Sequence, residues 1–269
     1  MNLMKEIKHW LKRKNLACEI KLLLDSSQVL GEDHLLKKSM RKAFQMEEEP
    51  RRIEVIYLDT PARDYLKAGW ISRIRVKEGK PRYTITYKMR YPVQDCDVDS
   101  ALAVARADGL SLKKSPYPAE IDWGYSKMTL SFSANAEVKT EETPDLKELN
   151  HVQAVRMAVQ NLPEEVKGQD PDSTENDTFK DIQVVGPVRF LRYEGALGKQ
   201  RIRIEIWPVP SAQGEITYTA ELSRACKDLM EAAEIRLKLM EKLDKMGILI
   251  HGDNLKTRMI LKPEEKESV

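Results

Sequence analysis

The chain has 269 residues and a mass of 31.0 kDa, enough to bury a sizeable core as one large domain or two small ones. Charged residues make up 33% of the chain, yet the formal net charge is only +2, and aromatic residues are few at 6%. This balance excludes the general basic field of a protein that coats nucleic acid. Positive charge that binds an anion must therefore be concentrated locally.

Three cysteines, Cys18, Cys96 and Cys226, lie far apart, and no Cys or His pair has the spacing of a metal site. This usage is typical of thiols kept in a reducing compartment. No apolar run approaches the roughly 20 residues needed to span a bilayer, and the N-terminus lacks the apolar stretch of a signal peptide. We expect a cytoplasmic protein without an integral membrane segment. The sequence gives no oligomeric state.

The first half of the chain alternates between strand and helix patterns. Apolar residues on one face and lysines on the other predict an amphipathic helix over residues 2–14, and a stripe of apolar residues predicts a second helix over 33–45. Apolar and polar residues alternate in four segments, which predicts strands over 19–25, 53–59, 71–77 and 82–90. The Glu-Gly-Lys-Pro sequence at 78–81 predicts a hairpin between the last two strands, and Asp-Thr-Pro at 59–61 predicts a turn.

The second half contains more helix. Its patterns predict helices over 97–107 and 145–161, an acidic loop over 163–181, and strands over 119–123, 127–139, 184–193, 200–207 and 215–223. A long helix follows, with an apolar stripe that begins at Leu222 and a C-terminal end near Met246. A short strand over 255–261 completes the chain. The total is eight or nine strands joined mostly by short turns, which favours antiparallel pairing.

Cationic side chains recur two residues apart within several strands, so they share one face. Arg73 and Arg75 form one such pair, and Arg201 and Arg203 form another. The opposite faces are apolar, and the helices are numerous enough to cover them from outside. In most sheets a polar face meets water, but a closed barrel would turn these faces inward. We predict an α+β fold with a closed antiparallel barrel of about eight strands and helices packed on its outside.

An interior lined with arginine and lysine repels itself. At 4 Å and an effective dielectric constant near 20, two like charges cost about 4 kcal/mol. Internal carboxylates or a bound polyanion must supply the counter-charge. Because the guanidinium fork matches phosphate oxygens, a linear triphosphate is a natural ligand.

Three stretches in order resemble the CYTH superfamily, also called the triphosphate tunnel metalloenzymes. The A-C-E-I-K sequence at 17–21 is similar to the family's ExExK strand. The Y-L-D-T-P sequence at 57–61 and L-K-A-G-W-I-S-R-I-R at 66–75 resemble its next segment, and T-I-T-Y-K at 84–88 resembles the strand after it. More loosely, residues 217–223 resemble a second E-x-E strand, and 255–258 resemble a basic stretch near the family's C-terminus.

This resemblance implies one tunnel domain over 1–262, with insertions near 92–118 and 163–181 and a flexible tail over 263–269. It implies a reaction centred on Glu19, Lys21, Arg73, Arg75 and Lys88. The implied phosphate ligands are Lys21, Arg73, Arg75, Lys88, Arg201, Arg203, Lys256 and Arg258. The implied ligands of Mg²⁺ or Mn²⁺ are Glu19, Glu221, Glu205 and Glu137. Members of the superfamily include class IV adenylate cyclases, thiamine triphosphatases, inorganic triphosphatases, and polyphosphate or RNA-end enzymes.

The sequence departs from the family pattern at two carboxylates. Ala17 stands where ExExK has its first Glu, and Thr219 stands at the first Glu of the later pair. Three functions therefore remain open. The first is a metal-dependent triphosphatase or an adenylate cyclase-type enzyme. The second is a binding module, without turnover, for a triphosphate, polyphosphate or an RNA 5′-triphosphate end. The third is a barrel without a ligand.

Overall fold

The computed structural model describes residues 16–112, 117–163, 181–198, 200–211, 214–254 and 256–261. The helix predicted over 2–14, the tail over 263–269 and all but the two end residues of the acidic loop lie outside the described residues. The predicted extent of a single domain with two insertions stays a prediction.

The described residues form nine strands and seven helices. The strands are β1 (Ala17–Leu24), β2 (Arg51–Asp59), β3 (Trp70–Lys77), β4 (Arg82–Val93), β5 (Ala119–Trp123), β6 (Met128–Lys139), β7 (Gln183–Leu197), β8 (Gln200–Pro210) and β9 (Ile216–Cys226). The helices are α1 (Ser26–Val29), α2 (Lys38–Ala43), α3 (Asp64–Lys67), α4 (Val98–Ala107), α5 (His151–Gln160), α6 (Leu229–Lys245) and α7 (Lys256–Leu261).

The strands form a closed barrel in the order β1-β5-β6-β4-β3-β2-β7-β8-β9, with β9 paired to β1. The predicted α+β fold with a closed barrel and helices outside is confirmed. The nine strands agree with the eight or nine that the sequence predicted. The predicted antiparallel pairing fails at one place, because β1 runs parallel to β5. Strand alternation is the same for both pairings. The long connection through α4 allows β5 to enter the sheet in the parallel direction.

The described residues divide into two compact units. The first unit comprises those within Met1–Pro50, Ala119–Leu130 and Leu191–Val269. The second comprises those within Arg51–Pro118 and Ser131–Phe190.

Helices cover the apolar face of the strands in each unit. In the first unit, the guanidinium of Arg236 on α6 lies 5.1 Å from the ring centre of Trp123, whose side chain points away from that of its neighbour Asp122. In the second unit, the hydroxyl of Tyr87 on β4 donates to the carbonyl of Ala158 on α5 at 2.8 Å. Since the helices lie on the apolar faces, the polar faces of the strands point to the inside of the barrel.

Two predicted elements of the C-terminal region are wrong. The segment 255–261 was expected to be a strand, but Lys256–Leu261 is helical. Thr257, Ile260 and Leu261 are buried at the three- and four-residue spacing of a helix, and seven residues are too few to separate the two patterns. The apolar stripe expected to begin the long helix at Leu222 belongs to β9, which continues to Cys226.

Two other predicted helices are shorter than expected. The helix expected over 33–45 is reduced to Lys38–Ala43, and the one expected over 145–161 to His151–Gln160. A capping box at Asn150 fixes the start of the second helix, because its side chain accepts from the backbone of Gln153 and the Gln153 side chain accepts from the backbone of Asn150. Among the helices of the described ranges, none has the length and apolarity that crossing a membrane requires.

Candidate functional site

The polar strand face of the first unit brings acids and cations into direct contact. We call it the acid-paired face; it is formed by β1, β5, β7, β8 and β9. Register places Glu19 beside Asp122 on the neighbouring parallel strand, and Glu205 directly opposite Glu221 on neighbouring antiparallel strands. Residues opposite each other in a ladder point to the same side of the sheet, so all four carboxylates share this face.

Lys21 lies at the centre of one group on this face. Its Nζ is 2.7 Å from Asp122 and 3.0 Å from Glu19, and the guanidinium of Arg203 donates to the other oxygen of Glu19 at 2.9 Å. Burial alone would raise the pKa of Glu19, but Lys21 and Arg203 hold it below its usual value. Burial likewise disfavours the charged form of Lys21, yet Asp122 and Glu19 raise the pKa of that ammonium. Glu19 and Lys21 are therefore both ionised at neutral pH.

Glu120 joins Glu19 and Asp122 in an acidic cluster. One carboxylate oxygen from each residue lies within 4.8 Å of the other two. Glu120 occupies the position next to Ala17 in the parallel ladder, so it supplies a carboxylate beside the position that lacks one. Three carboxylates at this spacing match the all-oxygen ligation that Mg²⁺ and Mn²⁺ prefer. Of the predicted metal ligands, Glu19 therefore lies with two further carboxylates. Lys21 and Arg203 already contact its two oxygens, so a metal ion bound here would displace at least one of these donors.

A second group on the acid-paired face surrounds Glu205. One oxygen of this carboxylate accepts two hydrogen bonds from Arg192, at 2.9 and 2.5 Å. The other accepts from the indole of Trp207 at 2.9 Å and from Lys256 at 2.5 Å. Lys256 also donates to Glu221 at 2.7 Å. Burial would raise the pKa of Glu205, but Lys256 and Arg192 hold it well below its usual range. A metal ion bound to Glu205 would therefore have to displace one of these donors.

The polar face of β3 and β4 in the second unit has the opposite character, and we call it the acid-free face. Neither strand contains an Asp or Glu. Register places Arg73 opposite Thr86 and Arg75 opposite Thr84, while Lys88 lies diagonally across from Arg73. Three predicted phosphate ligands of this unit therefore share one face with two hydroxyl side chains.

Arg73 has an unmet hydrogen-bonding capacity on this face. Its Nε is buried and has no hydrogen-bond partner among the described residues. The neighbouring Thr86 hydroxyl donates to the side chain of Asn135 on β6 at 2.8 Å, so the hydroxyl itself has a partner. A buried N–H without an acceptor is costly, and an anion bound here would remove that cost.

The remaining predicted ligands lie at the margins. Arg201 near the start of β8 and Arg258 on α7 are exposed. Glu137 on β6 is exposed and pairs with Arg82 at 3.2 Å. The structure thus brings Glu19, Lys21 and Arg203 together in one group, and Glu205, Glu221 and Lys256 in another.

Sequence reasoning missed Glu120, Asp122 and Arg192. The first two carried a usable signal, because A-E-I-D-W at 119–123 places two acids on the same face of a predicted strand. Their approach to Glu19 depends on the parallel pairing of β1 with β5, which alternation alone does not reveal. No pattern in the sequence of β7 indicated a role for Arg192 in the site.

Asp253 holds the segment that leads into α7. Its carboxylate accepts hydrogen bonds from the backbone N–H groups of Tyr125, Ser126 and Lys127, which form the turn between β5 and β6. The Ser126 hydroxyl adds a fourth bond at 2.8 Å. A Cβ on Gly124 would overlap the Asp253 carboxylate, so this turn needs glycine at that position. The start of α7 is therefore tied to the end of β5.

Solved structures share this fold. The chain aligns over 91% of its length with a candidate adenylyl cyclase from Hippeastrum, HpAC1, whose description gives it a dominant triphosphatase activity; the alignment covers 99% of that chain at 13% identity, with a TM-score of 0.58. A candidate adenylate cyclase from Bacillus halodurans aligns over 90% of this chain and 96% of its own at 13% identity, with a TM-score of 0.47. The PH1819 protein from Pyrococcus horikoshii aligns over 87% and 94% at 17% identity, with a TM-score of 0.44.

No protein-family model and no curated protein matches the sequence. The class that the structure defines is therefore one of fold: a closed barrel of the CYTH, or triphosphate tunnel, type. The resemblance of the motifs at 17–21, 57–75 and 84–88 to that superfamily is confirmed at the level of the fold.

Proposed function

We propose that this chain binds a triphosphate-containing ligand on the inward polar faces of its barrel strands and hydrolyses it with the help of Mg²⁺ or Mn²⁺. The observation that carries the proposal is the buried Nε of Arg73, which has no hydrogen-bond partner among the described residues and lies on one strand face with Arg75 and Lys88. Guanidinium groups bind phosphate oxygens bidentately, and an unpartnered buried Nε on Arg73 favours an anionic ligand. The triphosphatase activity ascribed to HpAC1, which shares the fold, supports the same ligand class.

The metal ion would be held by the acidic cluster of Glu19, Glu120 and Asp122, and when bound it would supply the positive charge that phosphate hydrolysis requires. Lys21 and Arg203 keep Glu19 ionised, which is the state that binds a cation. Lys21 can also turn its ammonium toward a phosphate oxygen, since its three N–H donors are not confined to one geometry. No nucleophilic side chain is needed, because water is the attacking group in phosphate hydrolysis.

Binding without turnover is the second candidate, and specific observations favour it. Ala17 and Thr219 remove two carboxylates of the family pattern, and Lys256 already contacts both Glu205 and Glu221. A face with fewer carboxylates available to a metal ion can still bind phosphate through its arginine and lysine side chains. It loses part of its capacity for metal-assisted chemistry. Polyphosphate and an RNA 5′-triphosphate end are then alternative ligands.

For the enzyme candidate, cyclisation of ATP is the alternative reaction to hydrolysis.

Calorimetric titration with tripolyphosphate tests ligand binding. The Arg73→Ala, Arg75→Ala double variant should bind about 100-fold or more weakly than the unmodified chain, because each charge-assisted hydrogen bond contributes about 1.5–3 kcal/mol. A matched control, Arg106→Ala with Arg156→Ala, removes the same charge from exposed positions on α4 and α5 and should change affinity little. Equal affinity in both double variants would refute the proposal.

Release of phosphate from tripolyphosphate, ATP and thiamine triphosphate distinguishes the two candidates. With Mg²⁺ or Mn²⁺ present, hydrolysis predicts turnover that Glu19→Gln abolishes while tripolyphosphate binding remains. Tight, salt-sensitive binding with no turnover of any of the three substrates would favour the binding module, and formation of cyclic AMP from ATP would favour a cyclase.

We also propose that the protein works in the cytoplasm. Its three cysteines are free, and one of them, Cys96, is exposed, as is usual for proteins kept in a reducing compartment. Fractionation of cells that produce the full chain tests the location, and recovery from an oxidising compartment would contradict it.

A further inference from the structure

Lys256 joins two carboxylates that would otherwise repel each other. Glu205 and Glu221 are direct cross-strand partners on β8 and β9, and both are buried. Like charges placed opposite each other destabilise a sheet, and the penalty grows when water is excluded. The Lys256 ammonium lies 2.5 Å from one carboxylate and 2.7 Å from the other, so it fills the position between them.

The surroundings of Lys256 are built to retain a cation. The side chain is 17% exposed, and its Nζ lies 5.0 Å from the ring centre of Trp207, within the range of a cation–π contact. Burial would lower the pKa of Lys256, but Glu205 and Glu221 raise it above its ordinary value. The ammonium is therefore charged at neutral pH and is held by two anions and an aromatic ring.

The ion pairs that the described residues of this group form match two carboxylates with two cations. Glu205 and Glu221 contribute two negative charges, and Arg192 and Lys256 contribute two positive charges. Glu205 accepts four hydrogen bonds, which uses the acceptor capacity of a carboxylate. Thr219, next along the same face of β9, offers no charge. A divalent ion would thus have to displace Lys256 and leave its ammonium buried without an anion.

We propose that Lys256 is a built-in counter-ion that permanently occupies the cation position between Glu205 and Glu221. This pair binds no divalent metal ion in the native protein, and it becomes a divalent-cation site only when the lysine is removed. The inference rests on the proposed function for one point only, that these residues belong to the ligand-binding face. Among the described residues of that face, the acidic cluster of Glu19, Glu120 and Asp122 is then the candidate metal position.

Direct counting of bound Mn²⁺ tests the proposal without any phosphate present. Electron paramagnetic resonance reports free Mn²⁺ during titration of the full chain. Lys256→Met should bind one equivalent of Mn²⁺ more than the unmodified chain. At the Glu205–Glu221 pair, its affinity for Mn²⁺ should be at least tenfold higher than that of the unmodified chain. Adding Glu221→Gln to Lys256→Met should remove that equivalent. The control Lys67→Met, at a lysine side chain that is 56% exposed, should leave the number of bound ions unchanged.

A single substitution in the otherwise native chain keeps the test decisive if Lys256→Met fails to fold. Glu221→Gln alone should leave the number of Mn²⁺ ions unchanged, because the native pair holds none. Loss of one equivalent in Glu221→Gln, or an unchanged number in folded Lys256→Met, would overturn the proposal. Since tripolyphosphate is absent from these titrations, either outcome is independent of whether the chain binds triphosphate.

Discussion

The two polar faces of the barrel strands differ in whether carboxylates lie next to their cations. On the acid-paired face, each of Lys21, Arg203 and Lys256 has a carboxylate oxygen within 3.0 Å. On the acid-free face, Arg73 and its neighbours lie on two strands that contain no carboxylate at all. The first arrangement is balanced by the protein itself. On the second face, the buried Nε of Arg73 has no hydrogen-bond partner among the described residues, and an anion bound there would satisfy it.

The largest expected effect comes from Lys21, whose removal leaves the carboxylates around it without their central cation. Lys21→Met should lower the free energy of unfolding by about 3–5 kcal/mol, the usual cost of breaking a buried ion pair on one side. Urea denaturation at pH 7 with a chelator measures this effect without metal rescue. Lys67→Met, at an exposed site, should cost far less. Equal losses in the two variants would contradict a self-balanced face.

Acid should weaken the acid-paired face through Glu205. Its pKa lies below the unfolded value near 4.3, so its contribution to stability is fully present above that pH and is lost as pH falls toward the folded pKa. Over this range the unmodified chain should lose on the order of 2 kcal/mol that Glu205→Gln does not lose. Urea denaturation at several pH values gives the slope. Glu241→Gln, at a fully exposed pair with Lys245, should keep the slope of the unmodified chain.

Arg203 forms an ion pair at the edge of the acid-paired face, where water partly screens the charges. Its side chain is 34% exposed, and it donates to Glu19 at 2.9 Å. Arg203→Met should cost about 1 kcal/mol, and raising the salt concentration should reduce that cost. The exposed Arg201, two residues earlier on the same strand face, serves as the control. A cost for Arg203→Met that does not respond to salt would show that packing, rather than charge, holds this residue.

The smallest effect on stability is expected on the acid-free face. Arg73→Met should change the free energy of unfolding by less than about 1 kcal/mol, because the methionine keeps the apolar stem and removes a buried N–H that has no acceptor. Thermal denaturation with and without tripolyphosphate adds a second measure. The ligand should raise the melting temperature of the unmodified chain more than that of Arg73→Met. A stability loss as large as that of Lys21→Met would erase the contrast between the two faces.

Much of the barrel could be predicted from alternation and turn residues. Strands β1 to β4 and the β3–β4 hairpin follow the predicted segments within a few residues, because apolar and polar side chains alternate cleanly between turn signals. Asp59 also lies in the turn that the Asp-Thr-Pro sequence predicted. Its carboxylate accepts hydrogen bonds from the backbone N–H groups of Thr60 and of Leu66, which lies within α3. Local chemistry decides these features, and local chemistry is readable in a sequence.

The candidate site was less predictable because it depends on pairing between distant segments. The acidic cluster requires β5 to lie parallel to β1, a choice that the sequence of a five-residue strand does not express. Lys256 was predicted to lie on a strand, but it lies at the start of a helix, where it contacts Glu205 and Glu221. Its role as a phosphate ligand stays a prediction. The sequence showed which acidic and basic residues the strands contain. Which of them contact each other depends on the tertiary structure.

The hydrogen bonds of Asp253 have a consequence for a residue that they do not touch. Asp253 lies three residues before Lys256, and its carboxylate accepts from the amides of Tyr125, Ser126 and Lys127. Because these bonds fix the chain just before α7, they also fix the position from which Lys256 reaches Glu205 and Glu221. The β5–β6 turn therefore helps to position a cation that belongs to strands β8 and β9.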